Sequence, residues 1–245
     1  SSEAVYNEGQ HDNECLKLFE RLRHPDKLLV HRPPLEQPPS DMDFTDGGRM
    51  LITSWYYFDG AYSDSDKEKS SKDIPVVSWT GVEEWRKKVR LDEPLGYGDR
   101  QMRKLMFKQK HLLQGASVAV IGTQTPWIEA IALETNCASI TTLDYTRKRY
   151  EHKNMRWTHV NDFLDESIQK KGKRELFDHI LSFSSIEHAG LGRYGDPLSP
   201  FGDLDAVRQV HCMLKPGGLF FLGLPTSSDN SSYIQFNAHR VYGSY

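Results

Sequence analysis

From residue 117 onward the sequence alternates short apolar runs with helical stretches, and this alternation restricts the fold more than any other feature of the chain. Residues 117–121, 139–143, 158–160, 178–183 and 219–224 read as strands, the third of them weak. Residues 126–135, 146–153, 162–170 and 203–214 read as the helices between and after them. A strand, a covering helix and a parallel neighbour connect with one hand, so five such strands predict an α/β chain with a doubly wound, mostly parallel sheet.

The first strand, Ser117-Val118-Ala119-Val120-Ile121, runs into a turn with one glycine, Gly122-Thr123-Gln124-Thr125-Pro126. A β-branched run of this length suits a strand buried on both faces, and Thr125 before Pro126 reads as a helix cap with proline at the first helical position. The helix N-terminus then faces the carboxyl end of the strand, where open α/β sheets bind nucleotide-like ligands. Asp144 follows Gly122 by 22 residues, the spacing at which a carboxylate meets a ribose hydroxyl; the alternative is a strand-end aspartate that caps the next helix. Asn161-Asp162 falls on the same rim, either to bond an adenine amino group or to cap a helix starting at Phe163. A dinucleotide turn asks for G-x-G-x-x-G, and here Gln124 and Pro126 occupy that neighbourhood. A pyrophosphate cofactor is disfavoured, whereas S-adenosylmethionine, which has no phosphate, makes no such demand.

The bulk properties exclude several classes. A chain of 245 residues with 38% hydrophobic content and a formal charge of -3 matches one large globular domain, or a domain with an extension, and shows no basic excess to favour nucleic acid. No run of about 20 apolar residues offers a membrane span. No secretory leader is visible at the Ser1 end of a sequence that begins without methionine. Cys15, Cys137 and Cys212 are too few and scattered for a disulfide framework or zinc cluster, and Cys137 and Cys212 read as small buried apolar residues. Asn230-Ser231-Ser232 is a glycosylation triplet with meaning only in a secreted protein.

The N-terminal third reads differently. Residues 15–22 carry a helical face of Leu16, Phe19 and Leu22; 32–39 form a proline-rich connector; 50–58 suit a strand or a pocket wall; and 63–73 form a solvated loop. Helices follow at 79–90, with Thr80 as cap, and at 99–113. Residues 1–78 are expected to form an arm with an aromatic segment, Trp55 to Phe58, that wraps the body or lines an acceptor site. Residues 79–245 form the main domain.

Chemistry concentrates after the fourth strand. Glu187 and His188 leave it at its carboxyl end, and a neutral imidazole there can take the proton of a hydroxyl nucleophile. His188 is the candidate general base, with Glu187 or Asp196 orienting it; a loop-packing pair is the plain alternative. Arg193 and Tyr194 lie where sugar hydroxyls and a ring face would meet them, and His239 and Arg240 are placed to close the pocket from the other side. His188, Asp196 and His239 have the donor types for a divalent metal but form no compact ligand motif, so no metal is assigned.

Leu214-Lys215-Pro216-Gly217-Gly218 before the fifth strand, with Phe177-Asp178-His179-Ile180-Leu181-Ser182 at the fourth, looks like a class I methyltransferase. The segment from Ser182 to Pro197, with Phe236 to Gly243, resembles the uncharacterised methyltransferase-like family catalogued as domain of unknown function 268, found in nematodes and in bacterial sugar gene clusters. The likeness spans roughly residues 80–245. It implies a Rossmann-like methyltransferase sheet and an S-adenosylmethionine-dependent O-methyltransferase acting on a glycan hydroxyl, with fucose among the acceptors. It implies further a Golgi or secretory-lumen setting, cytoplasm being the alternative. Cofactor contacts are then expected from Gly122, Thr123, Gln124, Asp144, Tyr145, Asp162 and Ser184; acceptor contacts from Arg193, Tyr194, His239, Arg240 and Trp55; and catalysis from His188, Glu187 and Asp196. Two rivals share the sheet. A nicotinamide-dependent sugar oxidoreductase lacks its glycines and its Tyr-x-x-x-Lys pair, because Tyr150 and Lys153 are three apart. The other rival is an inactive methyltransferase fold that binds carbohydrate or protein. Class I methyltransferases usually add two further strands, and only 21 residues follow Leu224, so the tail is either trimmed or folded differently.

Overall fold

A computed structural model of the chain describes residues 8–23, 38, 43–54, 77–79, 81–145, 148–170, 176–194 and 196–244. In chain order these form α1 (Glu8–Leu22), β1 (Leu51–Ser54), β2 (Val77–Trp79), α2 (Val82–Arg90), α3 (Asp99–Lys108), α4 (Lys110–Leu113), β3 (Ser117–Ile121), α5 (Trp127–Glu134), β4 (Ser139–Asp144) and β5 (Lys148–Tyr150). Then follow β6 (Met155–His159), α6 (Val160–Gln169), β7 (Phe177–Phe183), a 3₁₀ turn (Ile186–His188), α7 (Gly202–Met213), β8 (Leu214–Gly223), β9 (Tyr233–Phe236) and β10 (His239–Val241). The expected connector at 32–39 falls, apart from residue 38, outside the described residues. The loop at 63–73, Thr80 and the Trp55 to Phe58 segment also lie outside them. Among the described residues no helix is long and apolar enough to cross a membrane.

Five strands form one all-parallel sheet in the order β6-β4-β3-β7-β8, a Rossmann-like arrangement. Val118, Ala119 and Val120 on β3 are fully buried. The strand is central and covered on both faces, which is why it reads as an unbroken apolar run. Val118 and Val120 pack with α2, α3 and α5, while Ala119 and Ile121 pack with α1, α6 and α7. Strand order reverses between β3 and β7, so their carboxyl ends diverge and open a crevice.

Several local expectations are corrected. Residues 146–153 are not a helix: 148–150 form β5, which pairs in parallel with β2, a partner supplied from about 70 residues upstream. The weak third strand is longer and earlier, at Met155–His159, and α6 starts at Val160. His159 caps α6, its Nδ1 accepting the Asn161 N–H at 3.2 Å, so Asn161 and Asp162 do not cap it. Thr125 does not cap α5 either. Its carbonyl instead accepts the Thr123 hydroxyl (2.6 Å) and the Trp127 N–H (2.9 Å), and α5 begins one residue after Pro126. The expected turn 215–218 is a register shift inside β8: Leu214 pairs with Phe177, and pairing resumes with Leu219 opposite His179.

The tail is folded differently from a methyltransferase sheet extension. β9 and β10 are antiparallel, and β1 adds in parallel to β9 to give a separate three-stranded sheet, packed through Phe44, Leu191, Ile234 and Phe236. The expectation that Cys212 is a lone apolar residue is overturned, because Cys15 and Cys212 form a disulfide linking α1 to α7 across 197 residues. Cys137 is free and buried, as expected.

Candidate functional site

A cleft of about 1040 Å³ opens at the carboxyl ends of β3, β4 and β7. Gly122 begins its first wall with φ +58°, and a Cβ there would lie 2.0 Å from the Ser185 hydroxyl oxygen. Glycine is thus required twice, by the left-handed backbone and by the close approach of the neighbouring loop. The Gly122 N–H donates to the Leu143 carbonyl (3.0 Å), and the Thr123 N–H donates to Asp144 Oδ2 (3.2 Å). Asp144 also pairs with the buried Lys148 at 3.5 Å. The turn therefore spends its first two amide donors internally and sets a carboxylate where a phosphate would need positive partners.

Apolar side chains form the floor: Ile121, Leu143, Val160 and Leu164. Phe183 adds an aromatic corner, its ring edge-on to Tyr97 (5.4 Å) and Trp127 (5.3 Å). Thr123, Gln124, Tyr145 and Ser184 all line the cleft. Asp162 does not: it is exposed on α6 and outside the lining. Because the helix starts at Val160, the pair Val160 and Leu164 shares the inward face and residue 162 is rotated to the opposite side.

The second wall is the loop after β7. The Nδ1–H of His188 donates to the Ala238 carbonyl oxygen at 2.6 Å. A carbonyl only accepts, so this bond fixes the proton on Nδ1 and leaves Nε2 as the basic nitrogen of the neutral ring. His188 Nε2 lies 3.6 Å from Glu187 Oε1, which also accepts the Ser184 hydroxyl at 2.5 Å. Glu187 is 1% exposed. Burial pushes its carboxyl above the ordinary range, against the lowering effect of the Ser184 hydroxyl. Its Oε2 has no hydrogen-bond partner among the described residues. The Tyr194 ring stands edge-on to His188 at 5.4 Å, and His239 lies at 6.1 Å. Arg193 covers the Tyr194 ring at 5.3 Å, and Gln124 donates to the Tyr194 hydroxyl at 3.4 Å, which ties the two walls together. Burial and Arg193 lower the pKa of His239.

Two candidates carry structural work, and of these Asp196 lines the cleft whereas Arg240 does not. Asp196 accepts backbone N–H groups from Gly190 (2.7 Å), Gly192 (3.1 Å) and Tyr194 (3.3 Å). It shapes the loop and does not orient His188. Arg240 is buried and donates to the carbonyls of Ala189 (2.6 Å), Pro200 (3.1 Å), Ser199 (3.3 Å) and Glu187 (3.4 Å), with Asp203 at 3.6 Å. It braces the loop from behind, while its neighbour on β10, His239, lines the cleft. Trp55 lies outside the described residues. His188, Asp196 and His239 do not assemble a metal site, and among the described residues no other group of three or more His, Cys, Asp or Glu does so.

Sequence reasoning missed Lys148, Tyr97 and Trp127, and also Arg21 and Arg23 at the end of α1, all of which line the cleft. It missed Glu129 beneath the turn, 0% exposed, whose carboxylate accepts the Thr142 hydroxyl at 2.8 Å. An acidic residue amid Trp-Ile-Glu-Ala-Ile-Ala was the available signal, since a helical stretch apolar on every face is buried and carries its one charged side chain inside with it. The Ala238 carbonyl had no sequence signal at all.

A family model described as Caenorhabditis protein of unknown function, DUF268, matches residues 115–245. No curated protein and no solved structure matches the chain.

Proposed function

The chain belongs to the Caenorhabditis family of unknown function DUF268, and we propose that it is an S-adenosylmethionine-dependent O-methyltransferase acting on a sugar hydroxyl of a glycan. The observation that carries this reading is His188: a cleft-lining imidazole whose proton is fixed on Nδ1 by the Ala238 carbonyl, with Glu187 beside Nε2. Such a base takes the proton of a hydroxyl too weak to act as a nucleophile on its own.

The first wall supports a cofactor without phosphate. Its first two amide donors are spent on Leu143 and Asp144, and the Asp144 carboxylate, paired with Lys148, stands where a phosphate would otherwise sit. Asp144 and Tyr145 stand at the end of β4, where a ribose is held in such sheets. Ile121, Leu143, Val160 and Leu164 offer an apolar bed for a base. Thr123, Gln124 and Ser184 supply polar edges. When bound, S-adenosylmethionine supplies a methyl carbon on a sulfonium sulfur that departs with the bonding pair as a neutral thioether. Glu187 holds its charge close to the imidazole that receives the proton, and Arg193, Tyr194 and His239 face the acceptor. The disulfide fits an oxidising compartment, in keeping with a deoxyhexose acceptor such as fucose met in the secretory lumen.

Titration calorimetry tests the cofactor half. S-adenosylmethionine should bind the parent and should bind Asp144→Asn about tenfold more weakly, while NAD gives no binding. Equal affinity for the parent and the Asp144 variant, or tight NAD binding, contradicts the assignment.

A further inference from the structure

We infer that the acceptor is a vicinal diol, read by Glu187 next to the hydroxyl that His188 deprotonates; this rests on the transferase reading above. Oε1 of Glu187 is engaged by the Ser184 hydroxyl and lies 3.6 Å from His188 Nε2. Oε2 is buried without a hydrogen-bond partner among the described residues, although Glu187 and His188 both line the cleft. A buried carboxylate oxygen without a donor is costly, and sites tolerate one where a ligand brings the donor. His188 Nε2 lies 3.6 Å from the carboxyl group that carries the unsatisfied oxygen, so the basic nitrogen and that oxygen are neighbouring acceptors in the wall of the cleft. A lone hydroxyl satisfies only one of them. Two hydroxyls on adjacent carbons satisfy both: the attacked one gives its proton to Nε2, and its neighbour keeps its proton and donates to Oε2. The neighbour's bond also leaves Glu187 ionised beside the imidazolium that forms.

The test compares a methyl glycoside that carries the vicinal diol with its monodeoxy analogue, which lacks the neighbouring hydroxyl. With the parent, kcat/KM for the deoxy analogue should fall about 10- to 100-fold, because the site then keeps an unpaired buried oxygen. With Glu187→Gln that preference should shrink to about threefold or less, with S-adenosylmethionine affinity by calorimetry unchanged. Equal use of both acceptors by the parent overturns the inference even if the variant fails to fold. So does a preference that survives in Glu187→Gln, and so does a loss of cofactor affinity in that variant, which would assign Oε2 to the cofactor. Absence of transfer to every acceptor rejects the transferase reading itself, and this inference with it.

A different observation carries a second proposal: we infer that Asn230 is an N-glycosylation site. Asn230-Ser231-Ser232 is the single Asn-x-Ser/Thr triplet in the sequence. Asn230 is exposed in a left-handed turn before β9 (φ +64°), shaped by Asp229 accepting the Ser231 N–H (3.1 Å) and hydroxyl (2.7 Å). The Cys15–Cys212 disulfide independently fits the compartment where this modification occurs. The Asn230 amide nitrogen forms the bond to the anomeric carbon of a lipid-pyrophosphate oligosaccharide donor, loses one proton, and the lipid pyrophosphate leaves. The native protein from its own cells should gain gel mobility on treatment with a peptide N-glycosidase, with residue 230 recovered as aspartate by mass spectrometry. Recovery of unmodified Asn230 with no mobility change overturns the proposal.

Discussion

His188 Nδ1 lies 2.6 Å from the carbonyl oxygen of Ala238, a bond between residues 50 positions apart. It joins the loop after β7 to the turn between β9 and β10, so the tail sets the tautomer of the candidate base. The tail sheet is thus part of the site, and the 3₁₀ turn and β10 pack together for the same reason.

Arg240→Leu separates brace from substrate contact. Arg240 is 4% exposed and faces Asp203 and four loop carbonyls. Removing the cation leaves a buried carboxylate uncompensated, at an expected cost of about 3–5 kcal/mol in denaturant unfolding. Parent-like stability with lost turnover would place Arg240 back among the acceptor contacts.

Gly122→Ala should destabilise the chain by about 1–3 kcal/mol in urea titration, because the new Cβ meets Ser185 Oγ at 2.0 Å in a left-handed backbone. Adding Ser185→Gly should recover the steric part and leave the cost of about 1 kcal/mol for a left-handed alanine. Equal stability of parent and Gly122→Ala would remove the geometric reason for this glycine.

Reduction of the disulfide, or Cys15→Ser with Cys212→Ser, should lower stability by about 2–5 kcal/mol, since the bridge closes a loop of 197 residues. Ligand affinity should fall with it, because Arg21, Leu22 and Arg23 at the end of α1 line the cleft. An unfolding midpoint insensitive to reductant contradicts a bridge that holds α1 in place.

Glu129 gives the stability a pH dependence of known sign. Burial pushes its carboxyl up to about 7, against the lowering effects of the Thr142 hydroxyl and Lys148, with Asp144 raising it further. The unfolded carboxyl ionises near 4.3, so between about pH 4.5 and 7 the folded chain holds the extra proton and stability declines as pH rises. Glu129→Gln lacks this contribution. Its stability relative to the parent should improve by roughly 3 kcal/mol from pH 4.5 to 7.5. A constant difference across that range contradicts the burial account.

The sheet was legible because its signal is local: Val118 to Val120 and Ile180 to Leu181 are apolar on both faces, and each strand declares this without its neighbours. Gly122, Asp144, Glu187 and His188 were legible because strand ends converge at one rim. What was hidden depends on partners distant in sequence. Lys148 reads as part of a helix until β2 pairs with it, and Cys212 reads as an apolar residue until Cys15 is found against it. Arg240 and Asp196 carry the charges of a binding site, and only the carbonyls and amides around them reveal that both are spent on the loop.

The central claim is tested most directly by transfer of a labelled methyl group from S-adenosylmethionine to a panel of free and protein-linked glycans. The parent should label a hydroxyl-bearing acceptor. His188→Gln should bind the cofactor with parent-like affinity and transfer about 10²- to 10⁴-fold more slowly. Cofactor binding without transfer to any glycan, or transfer undiminished in His188→Gln, would contradict the account.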